Sequence, residues 1–208
     1  MHARARAPDT RAASSFRKAG TIVNILSVNR ARARAVRIGE RTVMTAIGKV
    51  PVTDEVAVGP LGLEGDEQAD PTVHGGLAKA VYAYPSEHYA FWQTVRAQAR
   101  AQLWGDELAF GSMGENLTLA GLREKDLWIG DRLMLPKCTL TVTEPRMPCF
   151  KFNAAMGFAH AAKLMKESGF CGAYLAVAVP GSVRAGDPVE LVPGPRELSL
   201  AELFRARR

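Results

Sequence analysis

Short strand-forming stretches, separated every few positions by glycine, proline or aspartate, run through most of this chain. They constrain its fold more than any other feature. Residues 21–28 (TIVNILSV), 80–84 (AVYAY), 116–120, 128–135, 138–143, 174–179 and 187–192 carry the apolar, β-branched and aromatic content of strands. Residues 56–63 read as a strand or turn punctuated by Gly and Pro, and the polar residues 31–43 as a loop and hairpin arm. Turn chemistry stands between the strands at Gly130-Asp131, Pro136-Lys137 and Pro180-Gly181, and Gly186-Asp187-Pro188 reads as a hairpin turn. Two helices interrupt the series. One opens at Pro85 and Ser86 and runs to about Ala101, with His88, Phe91, Trp92 and Val95 at helical spacing. The other covers residues 153–168 and stops at Gly169. A break at residues 193–195 precedes a short tail helix over 197–205. Many short strands with two interspersed helices predict a mainly β fold with helical insertions, a β-barrel.

The 208 residues, 47% of them hydrophobic, suffice for one domain with appendages. The expected division is a basic tail over 1–20, the barrel over 21–193 and an amphipathic C-terminal helix over 194–208. The net charge of +6 is unevenly spread. Residues 1–41 hold ten Lys/Arg against two Asp/Glu, whereas the rest of the chain holds 17 against 19. The tail carries one aromatic, Phe16, so a nucleic-acid-binding face with interleaved aromatics is disfavoured. A solvated, disordered tail is the expectation. A transit peptide or an extension from an early start codon are the alternatives. No apolar run approaches the roughly 20 residues of a membrane span, and no secretory signal is visible. The three cysteines, Cys138, Cys149 and Cys171, form no CxxC pair, which points to a reducing compartment, the cytoplasm. Three thiols also exclude an all-cysteine iron–sulfur cluster within one chain.

Three segments gather polar groups beside glycines or prolines. In Thr143-Glu144-Pro145-Arg146-Met147-Pro148-Cys149-Phe150-Lys151, one cysteine stands between two cations. Cations favour a thiolate, which can attack sulfur, carry a persulfide or bind a soft metal. The prolines fix the backbone that presents it. In Asp70-Pro71-Thr72-Val73-His74-Gly75-Gly76, His74 can be a base, a donor or a phosphate contact, and the glycines let N–H groups approach an anion. In Phe110-Gly111-Ser112-Met113-Gly114-Glu115-Asn116, Ser, Glu and Asn sit on a tight loop; read alone, this is a turn with a capping residue. Cys138 and Cys171 lack a basic setting and read as core. No GxSxG elbow, Walker loop, Rossmann fingerprint or HExxH pattern occurs.

Five ordered blocks together carry a family resemblance. They are VHGGLAKAVYAYPSEHYAFW (73–92), FGSMGENLTLAGL (110–122), IGDRLML (129–135), VTEPRMPCFKFN (142–153) and GSVRAGDPVEL (181–191). The chain resembles, over residues 21–193, a MOSC domain of the stand-alone YiiM-like group, which is associated with resistance to N-hydroxylated base analogues. The resemblance implies a barrel similar to the barrel domain of pyruvate kinase. It implies a cysteine, here Cys149, that carries sulfur or ligates molybdenum. His74 or Glu115 would act with it as the proton donor. Lys79, Asn116, Arg146, Lys151 and Ser112 would hold a molybdenum–pterin cofactor (molybdopterin). At the level of the family alone, pyridoxal phosphate binding is also implied. The implied reaction is reduction of a small N-hydroxylated substrate. The chain has neither a cluster nor a flavin motif, so a separate reductase would deliver the electrons. The alternative is a sulfur carrier bearing a Cys149 persulfide. The sequence departs from the family pattern at Asn29-Arg30-Ala31-Arg32 and at Ile47-Gly48-Lys49-Val50-Pro51, which bears on the entrance loop and substrate choice.

Overall fold

The computed structural model describes residues 23–69 and 75–208. The basic tail, Thr21 and Ile22, and the segment ending at His74 lie outside the described residues.

Among the described residues, thirteen strands form the frame. β1 (Val23–Arg30) is followed by a hairpin arm, β2 (Arg34–Ile38) and β3 (Arg41–Thr45). Then come β4 (Val50–Val52), β5 (Val56–Gly59), β6 (Gly62–Leu63), β7 (Val81–Pro85), β8 (Leu117–Ala120), β9 (Arg132–Met134), β10 (Thr139–Pro145), β11 (Ala173–Val179), β12 (Gly181–Val183) and β13 (Pro188–Val192). Seven of them close a barrel in the order β13-β9-β10-β11-β7-β8-β1, with β1 pairing back to β13 through Val23 and Val189. Closure removes the exposed edges that an open sheet of this length would present. Every barrel pairing is antiparallel except β7 with β8. A parallel pair needs a long crossover, and α1 (Tyr89–Gln98) lies within that connection. β4 adds to β1 outside the ring, and β12 pairs with β5 in a small separate sheet.

Alternation along the strands divides the apolar residues into two cores. Ile25, Val81, Leu133, Leu140 and Leu175 fill the barrel. The second core lies between the barrel wall and the helices, and contains Tyr84, Trp92, Phe152, Met156, Met165 and Phe204. The helices that cover it are α1, α2 (Phe150–Met156), α3 (Ala161–Ser168) and α4 (Leu200–Arg207). Trp92 Nε1 donates to Tyr84 Oη at 2.6 Å, which satisfies the indole inside this core. α4 starts with a capping box between Ser199 and Glu202.

The mainly β barrel with short helices agrees with the sequence reading, and several elements correct it. The helix expected over 153–168 is two helices, broken at Gly157, which adopts φ +78° as the left-handed cap of α2. Pro85 ends β7 instead of opening a helix; a 3-10 turn, Ser86–His88, precedes α1, which stops at Gln98. The strand expected over 128–135 shrinks to β9 because Asp131 accepts from Trp128 N at 3.0 Å and folds the residues before it into a turn. β12 follows Pro180 directly, where only a turn was expected. No helix among the described residues is long and apolar enough to cross a membrane.

Candidate functional site

One end of the barrel carries a cleft whose inner space is ≈ 90 Å³. Its lining comes from elements far apart in sequence. Arg146 follows β10, Cys149 caps the N-terminus of α2, and Lys151 lies in the first turn of α2. Lys79 ends the 3-10 turn Leu77–Lys79, Tyr82 is on β7, Asn116 precedes β8 and Tyr174 is on β11. Lys49, just before β4, and Asp66, just after β6, complete the inner wall. The loop before β8 is pinned against Lys49. Gly111 adopts φ +88°, and a Cβ there would meet Lys49 O at 2.3 Å, so only glycine permits the approach.

Cys149 is half-buried and extended (φ −121°, ψ 178°), following Pro148 as expected for a fixed presentation. Arg146 is buried beneath it. The guanidinium carbon lies 4.7 Å from the Phe152 ring centroid and 5.1 Å from that of Tyr82. Its Nη1 is buried with no hydrogen-bond partner. Burial works to lower the Arg146 pKa, but the Tyr82 and Tyr174 phenols and the Cys149 sulfur outweigh it, and the net direction is upward. The guanidinium is therefore a permanent, buried charge. Burial pushes the pKa of Tyr82 and Tyr174 up, so both phenols stay neutral. Tyr82 Oη donates to Cys171 O at 2.9 Å.

On the opposite wall Lys49 Nζ is hydrogen-bonded and ion-paired to Asp66 Oδ1, with both side chains almost entirely buried. Burial lowers the Lys49 pKa, against the pull of Asp66. Asp66 is held in turn by Ala31 N (2.8 Å) and by Asn116 Nδ2 (2.8 Å). Asn116 Oδ1 accepts from Tyr82 N at 3.0 Å and its Nδ2 also reaches Asn29 O at 3.3 Å. That side chain ties β1, β7 and the Asp66 turn together. Lys79 approaches Glu144 at 3.7 Å, and Lys151 Nζ donates to Met44 O at 2.8 Å, joining α2 to the hairpin arm.

The structure thus brings Lys79, Asn116, Arg146, Cys149 and Lys151 to one cleft. Asn116 belongs to its framework, since its amide is spent on the protein. Two candidates stand elsewhere. Glu115 is fully buried behind the wall and does not line the cleft; Tyr89 Oη, Gly111 N and Thr118 Oγ1 all donate to its Oε1. A direct catalytic role for Glu115 is not what this placement serves: the carboxyl organises the loop before β8. Ser112 is also outside the cleft, its hydroxyl turned to Ala109 O at 2.5 Å. His74 lies outside the described residues. Lys49, Asp66, Tyr82 and Tyr174 were not anticipated. Lys49 fell in the segment that departs from the family pattern, and Asp66 in an acidic glycine-containing loop, the only hint the sequence held.

A small closed barrel with one thiol, Cys149, set among buried and half-buried cations at its end defines the class of fold and site. The comparisons narrow that class. The family model for the MOSC domain matches residues 70–190. Protein YiiM of Escherichia coli (strain K12) is 37% identical over 158 residues, covering 76% of this chain and 68% of that protein. The crystal structure of YiiM from Geobacillus stearothermophilus superposes with a TM-score of 0.70 at 31% identity, covering 89% of this chain and 83% of that one. A protein of Gibberella moniliformis (strain M3125 / FGSC 7600) named Reductase is 31% identical over 188 residues, 88% of this chain but 32% of its own length. The chain belongs to the MOSC domain family.

Proposed function

We propose that this protein is the component that binds a molybdenum–pterin cofactor and reduces small N-hydroxylated compounds, such as N-hydroxylated bases, with electrons from a separate reductase. The observation that carries the reading is Cys149 set above a buried Arg146 whose Nη1 has no protein partner. A buried, unmet guanidinium N–H in the lining of a cleft calls for an anionic acceptor. The donor set fits the group: Cys149 offers a soft sulfur ligand, and Arg146, Lys79 and Lys151 offer the cations that a phosphate and a dithiolene need. Arg146 inside the cleft, with Lys79 and Lys151 in its lining, would hold the anionic parts of that group. When bound, the cofactor supplies the two electrons that the N–O cleavage consumes.

The chain's own residues would do the rest. Arg146 and Lys79 neutralise negative charge at the cleft. Lys49 holds a proton at Nζ inside the wall, where burial makes it a better acid than a solvated lysine. Asp66 and Asn116 fix that ammonium in place. The fungal protein named Reductase, of which this chain matches about a third, is consistent with an electron-delivering remainder. The cysteines, all thiols, support a reducing compartment such as the cytoplasm. The same half-exposed Cys149 would also serve as a persulfide carrier, which needs no ligand besides the thiol.

The test is molybdenum analysis of full-length protein from a host with ample cofactor, purified without oxygen, beside Cys149→Ser. Near-stoichiometric molybdenum in the parent, little in the variant, and conversion of 6-hydroxylaminopurine by the parent with a chemical reductant are the expected results. Loaded protein that leaves the substrate untouched defeats the reductase reading. No molybdenum in either protein, with a sulfur adduct on Cys149 after incubation with a cysteine desulfurase, establishes the carrier instead.

A further inference from the structure

A second cavity, ≈ 330 Å³, opens between the end of α3, the 3-10 turn Glu124–Asp126 and α4. It shares no lining residue with the Cys149 cleft. Its volume is that of a small-molecule site.

Phe170, Phe204 and Ala201 supply its apolar wall. Phe170 is stacked on the His88 ring with centroids 3.8 Å apart and planes 11° from parallel. His88 and Glu124 are both buried, and Nε2 lies 2.8 Å from Glu124 Oε2. The other oxygen, Oε1, accepts from Gly172 N at 2.7 Å. The buried polar groups are therefore satisfied within the protein and ask nothing of a ligand.

The rim is different. Arg123, Lys125, Arg205 and Arg208 all line the cavity, and among the described residues none of the four forms an ion pair. Arg205 Nε and Arg208 Nη1 donate to the carbonyls of Ala201 and Lys166, each at 3.3 Å, which holds both guanidinium stems beside the opening. The remaining acid at the cavity, Glu167, is 3.8 Å from Lys163. Four cations at the cavity outnumber its two carboxylates, Glu124 and Glu167, although Glu202 lies close enough to Arg205 to feel its charge. The complement of an aromatic wall under such a rim is a flat apolar body with an anionic group. Guanidinium forks suit a phosphate or carboxylate in particular.

We propose that this cavity is a second ligand site, taking a small aromatic anion, a flat ring bearing a phosphate, sulfonate or carboxylate. The site is independent of whatever the Cys149 cleft holds.

The test titrates the full chain with 2-naphthyl phosphate, followed by its fluorescence and by calorimetry. One equivalent binds, weakening as ionic strength rises. The uncharged 2-naphthol binds about tenfold or more weakly, the loss expected for one charge-assisted contact. Arg123→Glu combined with Arg205→Glu, both at exposed positions, leaves the circular dichroism and thermal midpoint near the parent's and reduces binding by about a hundredfold, two such contacts. Lys79→Ala with Lys151→Ala leaves binding unchanged. The proposal is overturned if the charge-reversed protein binds like the parent, if the Lys79/Lys151 variant loses binding, or if the parent does not bind below about 1 mM.

Discussion

The Arg146 guanidinium carbon lies 4.7 Å from the ring centroid of Phe152, a residue of α2 that is itself fully buried. The cleft's permanent charge is thus built into the second hydrophobic core. Function and packing share one side chain here, and Arg146→Ala tests both. The substitution loses two ring contacts and a buried stem, so unfolding by denaturant should show a loss of about 2–4 kcal/mol. Arg146→Lys should recover less than half of it, because an ammonium cannot stack on either ring as a plane. Full recovery by lysine would mean that charge alone, without the stacking, is what the site requires.

The three thiols differ in environment, and alkylation should separate them. Cys149 is half-exposed at the cleft, whereas Cys138 and Cys171 are buried in the two cores. Burial pushes the Cys138 pKa up to about 11 and raises that of Cys171 well above its ordinary value. With iodoacetamide at neutral pH, peptide mass spectrometry should find Cys149 modified at least about tenfold faster than either. Cys149→Ser should change stability by less than about 1 kcal/mol, since the side chain fills no core. Comparable labelling of Cys171 would show that the region around residues 170–172 opens in solution.

Lys49 and Asp66 face each other with side chains 6% and 7% exposed. Removing one partner strands the other charge. Lys49→Met should cost about 3 kcal/mol, the low end for a buried pair, because Asp66 keeps its bonds from Ala31 N and Asn116 Nδ2. Asp66→Leu should cost more, leaving an ammonium without an acceptor. The double variant should be more stable than the sum of the two losses predicts, and a double-mutant cycle in urea measures the difference. Strict additivity would mean the pair is not coupled in solution.

This pair also shows where the sequence stopped being readable. Cys149, Arg146 and Lys151 lie within six positions, so their meeting needed no fold. Lys79 and Asn116 were found through family blocks. Lys49 and Asp66 meet only because β4 adds to β1 and the chain turns after β6. No local pattern announces such a meeting. Glu115 illustrates the converse. The glycine-bounded Ser, Glu and Asn read alone as a turn, and only the family resemblance implied a site role for Glu115; burial turns that glutamate inward to Tyr89, Gly111 and Thr118. The barrel itself was legible because short apolar, β-branched and aromatic runs are separated by Gly, Pro and Asp, even where a strand such as β7 is buried along its whole length. The helix break at Gly157 was not, because apolar residues on both sides keep helical spacing.

Glu115 therefore supplies a pH test rather than a catalytic one. Its carboxyl is fully buried, and burial raises the pKa above the ordinary 4.5 despite three donors; Oε2 has no partner. A folded-state pKa above the unfolded value means that the folded form binds the proton more tightly. Its stabilising share is complete below about pH 4.5 and is lost as pH rises through the folded pKa. Glu115→Gln keeps the shape and removes the titration. Urea midpoints between about pH 4 and 8 should therefore fall less steeply with rising pH in Glu115→Gln than in the parent, with the two curves diverging upward from about pH 4.5. Parallel curves would mean that Glu115 titrates alike in the folded and unfolded chains, and that its buried oxygen meets water.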